Sequence, residues 1–286
     1  MVTQTETKYQ AYSGRNVDQM PIMLARGVVP LTSAGFFQNR EAIMEQLGDV
    51  YIDTSDLVAY GGKKQSDEIK MILTVDNQGK ITENGRKSLE LISPSQERTN
   101  GAIVLSNEFY DGLNHSGVVP LSRKDLKKYG IDGDLTEAQV LNHPVWKVLL
   151  RHPDAVPAEF AYDTGFMQET VSRTFAEMNK RHNYTKGMGV YPDSSEKAPK
   201  LRAWYVDGLR YGSGAYGRIL LVDGSGHLVG VAPEVQSASA GFTSPSQVEN
   251  KSETRVESYT PSQISKALKS AKLQGIESII LEHLRN

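Results

Sequence analysis

The chain contains no cysteine. That absence removes disulfides, thiolate metal sites and cysteine nucleophiles together, and it fits a reducing compartment. Long apolar runs are missing as well. No window approaches the ~18 consecutive apolar residues of a membrane-spanning helix, and the polar start Met1–Thr7 lacks the apolar stretch of a secretory signal. Charge of one sign is not in excess either: 32 Lys and Arg face 34 Asp and Glu, a net charge of -2. A broad basic surface for nucleic acid is thereby excluded, although a small basic patch is not. These absences lead to the expectation of a soluble, cytoplasmic protein with no membrane contact and no cofactor.

One glycine-rich segment matches a known spacing. Gly212-Ser213-Gly214-Ala215-Tyr216-Gly217 has the G-x-G-x-x-G pattern of nucleotide-binding loops. In a dinucleotide site that loop must open a helix whose amides hold the pyrophosphate. Here Arg218–Val222, an Asp223–Gly226 turn and His227–Val231 follow, the pattern of a strand, a turn and a strand. The protein-kinase version does lie between strands, but Leu228–Ala232 carries no phosphate-pairing lysine, and no H-R-D or D-F-G follows. Glycines that permit a tight hairpin connection explain the segment without a nucleotide.

Other catalytic patterns are equally scarce. His143, His152, Glu159 and Asp163 lie near one another in sequence but form no compact set such as H-E-x-x-H, so no metal site is expected. No G-x-S-x-G elbow is present.

What is there is a pattern of helix and strand signals. Residues 1–20 are polar and suggest a flexible arm, followed by a main body over 21–235 that allows a subdivision near residue 131. Ser33 caps a helix to Leu47, closed by Gly48. Shorter helices are expected at Asn84–Ile92, at Arg123–Tyr129 behind Ser122, after the capping box of Thr136 and Gln139, and from Pro144. The longest runs from Pro157 to about Lys180, with Phe160, Thr164, Met167, Val171, Phe175 and Met178 as its apolar stripe. Strands are expected at Val50–Ile52, Leu57–Tyr60, Ile69–Val75 and Ala102–Leu105. Leu201–Val206, Arg218–Val222 and Leu228–Val231 suggest a small antiparallel meander.

Residues 236–259 are Ser-rich and have the composition of a linker. Thr260-Pro261-Ser262-Gln263 then starts a C-terminal helical segment over 260–286, in which Ile276–Leu281 fits either helix or strand. The expected fold class is α+β: short antiparallel β-meanders packed with helices, plus a tethered C-terminal helical segment.

Several stretches resemble an uncharacterised family of hypothetical proteins from small-genome archaea. They are Leu121–Leu126, His143–Leu149, Met188–Tyr191, Leu201–Trp204 and Leu228–Glu234, covering roughly residues 20 to 240. The resemblance implies a cytoplasmic protein and transfers no activity.

For function, the aromatic and cationic residues around the glycine loop stand out: Arg202, Trp204, Tyr205, Arg210, Tyr211 and Tyr216. Strand alternation puts Arg202 and Trp204 on one face, and Leu201, Ala203 and Tyr205 on the other. Arg202, Trp204, Arg210, Gly212, Gly214, Tyr216 and Gly217 form the candidate ligand-binding set. A packed Trp beside a snorkelling Arg is the competing structural reading. The leading expectation is a non-enzymatic binding or interaction protein. The alternative is a small-molecule enzyme acting on an anionic or phosphorylated substrate near Gly212–Gly217. A protein partner is expected at the C-terminal segment through Ile264, Leu268, Ile276 and Ile280, since a short helix needs a surface to cover.

Overall fold

A computed structural model describes residues 9–65, 67–194, 197–218, 220–224 and 226–231. The N-terminal stretch is not an arm from Tyr9 onward. Strand β1 (Tyr9–Ser13) and helix α1 (Asn16–Ala25) belong to the body. Their Tyr9, Tyr12, Val17 and Met20 are buried, apolar anchors that the polar average of the segment conceals. There follow β2 (Val29–Pro30), α2 (Ser33–Leu47), β3 (Ile52–Tyr60), β4 (Glu68–Ile72) and α3 (Glu83–Glu90). Next come β5 (Arg98–Thr99), β6 (Ala102–Val104), α4 (Asn107–Asp111), β7 (Val118–Ser122) and α5 (Arg123–Tyr129). The chain passes residue 131 within the same compact unit. It continues through α6 (Glu137–Asn142), α7 (Pro144–Leu149), α8 (Thr164–His182), β8 (Val190–Tyr191), β9 (Lys200–Val206), β10 (Ala215–Tyr216) and β11 (His227–Val231). The fold is α+β, with a mostly antiparallel sheet.

Local capping chemistry sets the helix starts. The Thr32 hydroxyl accepts from Gly35 N at 2.9 Å and so caps α2, one residue before the expected Ser33. Ser122 caps α5, and Thr136 with Gln139 forms a full capping box on α6. Helix α8 begins at Thr164 rather than Pro157, because the Asp163 carboxylate takes Gly165 N at 2.7 Å. Phe160, counted in the apolar stripe, is buried from a separate turn closed by Phe160 N to Pro157 O.

The main path of the sheet runs β1-β11-β3-β9-β10-β8, with β4 and β7 added beside β3, and β6 and β5 beside β9. The expected meander is absent. Strand β9 pairs with β3, β6 and β10, while β11 pairs with β1, β2 and β3. Arg218 and Leu220–Val222 are not in a strand; Leu221 is buried in the core, and its carbonyl accepts from Val17 N at 3.1 Å.

Alternation along the central strands separates two cores. Val58, Tyr60 and Trp204 pack with Phe36, Phe37, Trp146 and Val171, whereas Leu57, Ala59 and Ala203 pack with Met20, Met23 and Leu89. All nine residues of β3 are buried, including its polar run Thr54-Ser55-Asp56. A register shift between Asp53 and Leu57 lets those groups turn to partners. Thr54 donates to Trp204 O at 2.8 Å, and Asp56 accepts from Ser33 N at 2.8 Å. Of the two short strands expected at Val50–Ile52 and Leu57–Tyr60, Ile52 and Leu57–Tyr60 belong to one strand that crosses a buried polar centre, while Val50 and Tyr51 precede it.

Gly85 sits where α3 meets this centre. An added methyl would lie 2.1 Å from Thr74 O, a carbonyl already held by Thr82 N. Gly85→Ala is therefore expected to cost about 1–3 kcal/mol, despite alanine's better helix propensity. Urea unfolding of the two proteins checks this; equal stabilities would show that α3 can shift freely.

No helix among the described residues is long and apolar enough to cross a membrane. The segment 236–259 and Ile264, Leu268, Ile276 and Ile280 lie outside the described residues.

Candidate functional site

Pairing register creates the most distinctive surface feature. Asp53 on β3 is opposite Tyr205 on β9, Tyr205 is opposite Tyr216 on β10, and Tyr216 is opposite Tyr191 on β8. Residues paired in register point to one face, and neighbouring strands lie about 4.8 Å apart. The rings accordingly stack at 4.3 Å for Tyr191–Tyr216 and 4.6 Å for Tyr205–Tyr216, within 13° of parallel. Tyr51 meets Tyr205 edge-on at 5.3 Å, and His227 meets Tyr51 at 6.1 Å. Five aromatic side chains from five segments form one row, each only partly buried.

Charged groups edge this row. The Arg218 guanidinium lies 5.1 Å from the Tyr191 ring centre and 5.9 Å from that of Tyr216, and pairs with Asp132 at 3.2 Å. Tyr191 donates its hydroxyl to Asp134 at 3.2 Å. Desolvation, with the nearby Asp207 carboxylate, raises the Tyr205 and Tyr216 hydroxyls, so both stay protonated donors. Desolvation also pushes Asp207 up to about 6, against the hydrogen bond from Tyr216. At the other end, burial together with Asp223 pushes Asp53 up to about 7.

A hollow of about 460 Å³ opens beside Tyr191 and Tyr216, lined by Arg123, Lys127, Asp132, Pro192, Asp193 and Arg218 among others. Its walls are tied together from below. The buried Tyr60 hydroxyl accepts from Asp193 N at 3.1 Å and donates to Gly217 O at 2.8 Å.

The structure disperses the residues expected at the glycine loop. Arg202 and Trp204 are buried, with Arg202 Nε on Asp193 at 2.5 Å. Gly212, Gly214 and Gly217 are buried, Arg210 is exposed, and Tyr216 is partly exposed within the row. Gly212 (φ 78) and Ser213 (φ 55) turn the chain in the left-handed region. The amides of Gly212, Ser213, Ala215 and Gly217 donate to Leu209 O, Gly208 O, Gly189 O and Tyr191 O. Spent on backbone carbonyls, they have nothing left to cradle an anion. The loop is pinned by buried Arg40, whose Nη2 donates to Asp207 O and the Ser213 hydroxyl.

Tyr51, Tyr191, Arg218 and Asp207 were not singled out in the sequence. The available signal was chemical: tyrosine, with its water-seeking tip, at strand positions where a core would take phenylalanine. His143 is buried, with Nε2 on Gly130 O and Nδ1 accepting from Val145 N, so both ring nitrogens serve the helix boundary. Among the described residues, no group of three His, Asp or Glu side chains is placed to hold a metal.

No family model and no curated protein matches the chain. A solved structure described as showing the accommodation of massive sequence variation in Nanoarchaeota by the C-type lectin fold is similar in fold. Its TM-score is 0.53 at 16% identity, covering 81% of this chain and 100% of that chain. The likeness is one of fold alone. It is no evidence of membership in the archaeal family that the sequence resembles.

Proposed function

We propose that the body is a binding module that presents the tyrosine row to a protein partner. The observation that carries this reading is the row itself: Tyr51, Tyr205, Tyr216 and Tyr191 from separate segments, stacked in register and partly open to water. Tyrosine offers large, rigid, amphipathic contact area at little entropic cost, and Tyr and Arg dominate interface hot spots. Arg218 stands over two of the rings. The fold neighbour is described in terms of massive sequence variation, which supports a scaffold whose surface residues can be exchanged while the core persists. The catalytic alternative at Gly212–Gly217 loses support, since four of the loop amides are occupied.

The test uses the full tagged chain, purified from its native cells alongside the Tyr191→Ala/Tyr205→Ala/Tyr216→Ala variant. The variant should keep its circular-dichroism spectrum and lose a captured partner by at least tenfold. Equal capture by both would end the proposal. Loss of capture in Ile264→Asp/Leu268→Asp, with the row variant unaffected, would move the docking element to the C-terminal segment.

A further inference from the structure

The hollow beside Tyr191 is lined by three cations, Arg123, Lys127 and Arg218. We propose that it is an oxyanion subsite, taking a phosphate or carboxylate group of the ligand that lies across the tyrosine row. Only the identity of that whole ligand rests on the row reading; the subsite stands on its own geometry.

Among the described residues, Arg123, Lys127 and Arg218 line the hollow against Asp132 and Asp193. Arg123 and Lys127 are four apart on α5 and share a face. The Asp193 carboxylate does little to neutralise them, because it is already engaged by Lys200 Nζ at 2.7 Å and Arg202 Nε at 2.5 Å, both buried. Burial pushes Asp193 upward, but these two cations together hold it below the usual carboxylate range. Asp132 pairs with Arg218 only at the surface, where both side chains are about half exposed, and such a pair is weak and easily exchanged for a ligand anion.

Arg123 and the backbone leading to Arg218 are also held in place. Arg123 donates to Asp193 O and lies 5.5 Å over the Tyr60 ring. The Tyr60 hydroxyl fixes Asp193 and Gly217, and Arg218 follows directly. A volume of about 460 Å³ is within the range of small-ligand pockets and generous for one tetrahedral or planar oxyanion.

The probes are inorganic phosphate and acetate, titrated into the full chain at constant ionic strength and followed by calorimetry and amide NMR. Saturable millimolar binding of either, with shifts at 123, 127, 193 and 218, is expected. Tighter phosphate assigns the site to phosphoryl groups, and acetate at least as tight assigns it to carboxylates. Lys127 and Arg218 are exposed, so Lys127→Gln/Arg218→Gln should fold and weaken binding at least tenfold. Tyr205→Ala/Tyr216→Ala should change it less than twofold. Non-saturable titration by both probes, or unchanged binding in the Lys127/Arg218 variant, overturns the subsite. Equal partner capture by the row variant and the natural chain, with phosphate binding intact, would instead count against the row's partner alone.

Discussion

Replacing Asp56 by alanine is expected to lower the unfolding free energy by about 3–5 kcal/mol. Asp56 and Arg151 form a 2.6 Å ion pair with side chains 0% and 1% exposed. The other carboxylate oxygen takes Ser33 N, so a single side chain ties β3 to the starts of α2 and of the α7–α8 connection. Removing the carboxylate leaves a guanidinium buried beside Phe160 with no counter-charge, and that desolvation dominates the loss. Adding Arg151→Met should recover at least half of it, since the stranded charge is then gone. Denaturant titration at pH 7 checks both. A loss below about 1 kcal/mol for Asp56→Ala would mean that water reaches the pair.

The share of stability that Asp53 and Asp207 contribute should fall as the pH rises from about 4 to about 7, against the gain from His143, which burial pushes down to about 4. Burial, reinforced by Asp223, pushes Asp53 up to about 7, and burial pushes Asp207 up to about 6. In the unfolded chain an aspartate ionises near ~3.9. Between these values the native state keeps protons that the unfolded state has released, so unfolding gains with every step upward in pH. Each contribution is full below about pH 4, Asp207's being lost as the pH passes 6 and Asp53's as it passes 7, on the order of 2–4 kcal/mol apiece. Asp193, held low by Lys200 and Arg202, acts only on the acid side, as the pH falls below the ordinary carboxylate range. Asp53→Asn, an uncharged mimic of the protonated acid, should remove its declining share and so make the slope between pH 5 and 8 more positive than in the natural protein. It should also exceed the natural protein in stability at pH 8. An unchanged slope would clear Asp53 of responsibility.

Features decided within a few residues were legible in the sequence. Ser122, the Thr136–Gln139 box and Gly48 cap or close their helices because each needs only its own next turn. Partner choice between strands was not legible. Leu201–Val206 and Leu228–Val231 are strands, yet β9 joins β3 from far upstream, a choice made by the burial of Trp204 and Ala203 in two different cores. The polar run Asp53–Asp56 looked like a break because its partners Ser33, Arg151 and Trp204 are distant in sequence. The site followed the same rule. Alternation placed Tyr205 opposite Trp204, but only the register across β3, β9, β10 and β8 assembles the row.

The pairing of β1 with β11 sets Tyr9 against Val231 at one end and Ser13 against His227 at the other. His227 is the end that touches the aromatic row, through Tyr51. Five strand residues carry the chain roughly 13 Å from there before it reaches Val231. Tyr9 and Val231, the outer ends of β1 and β11, are therefore neighbours, and they stand away from the row. A sheet edge at which two strand ends coincide can be joined there, Val231 to Tyr9, with the row left untouched. The tyrosine row would then be carried outward from the join.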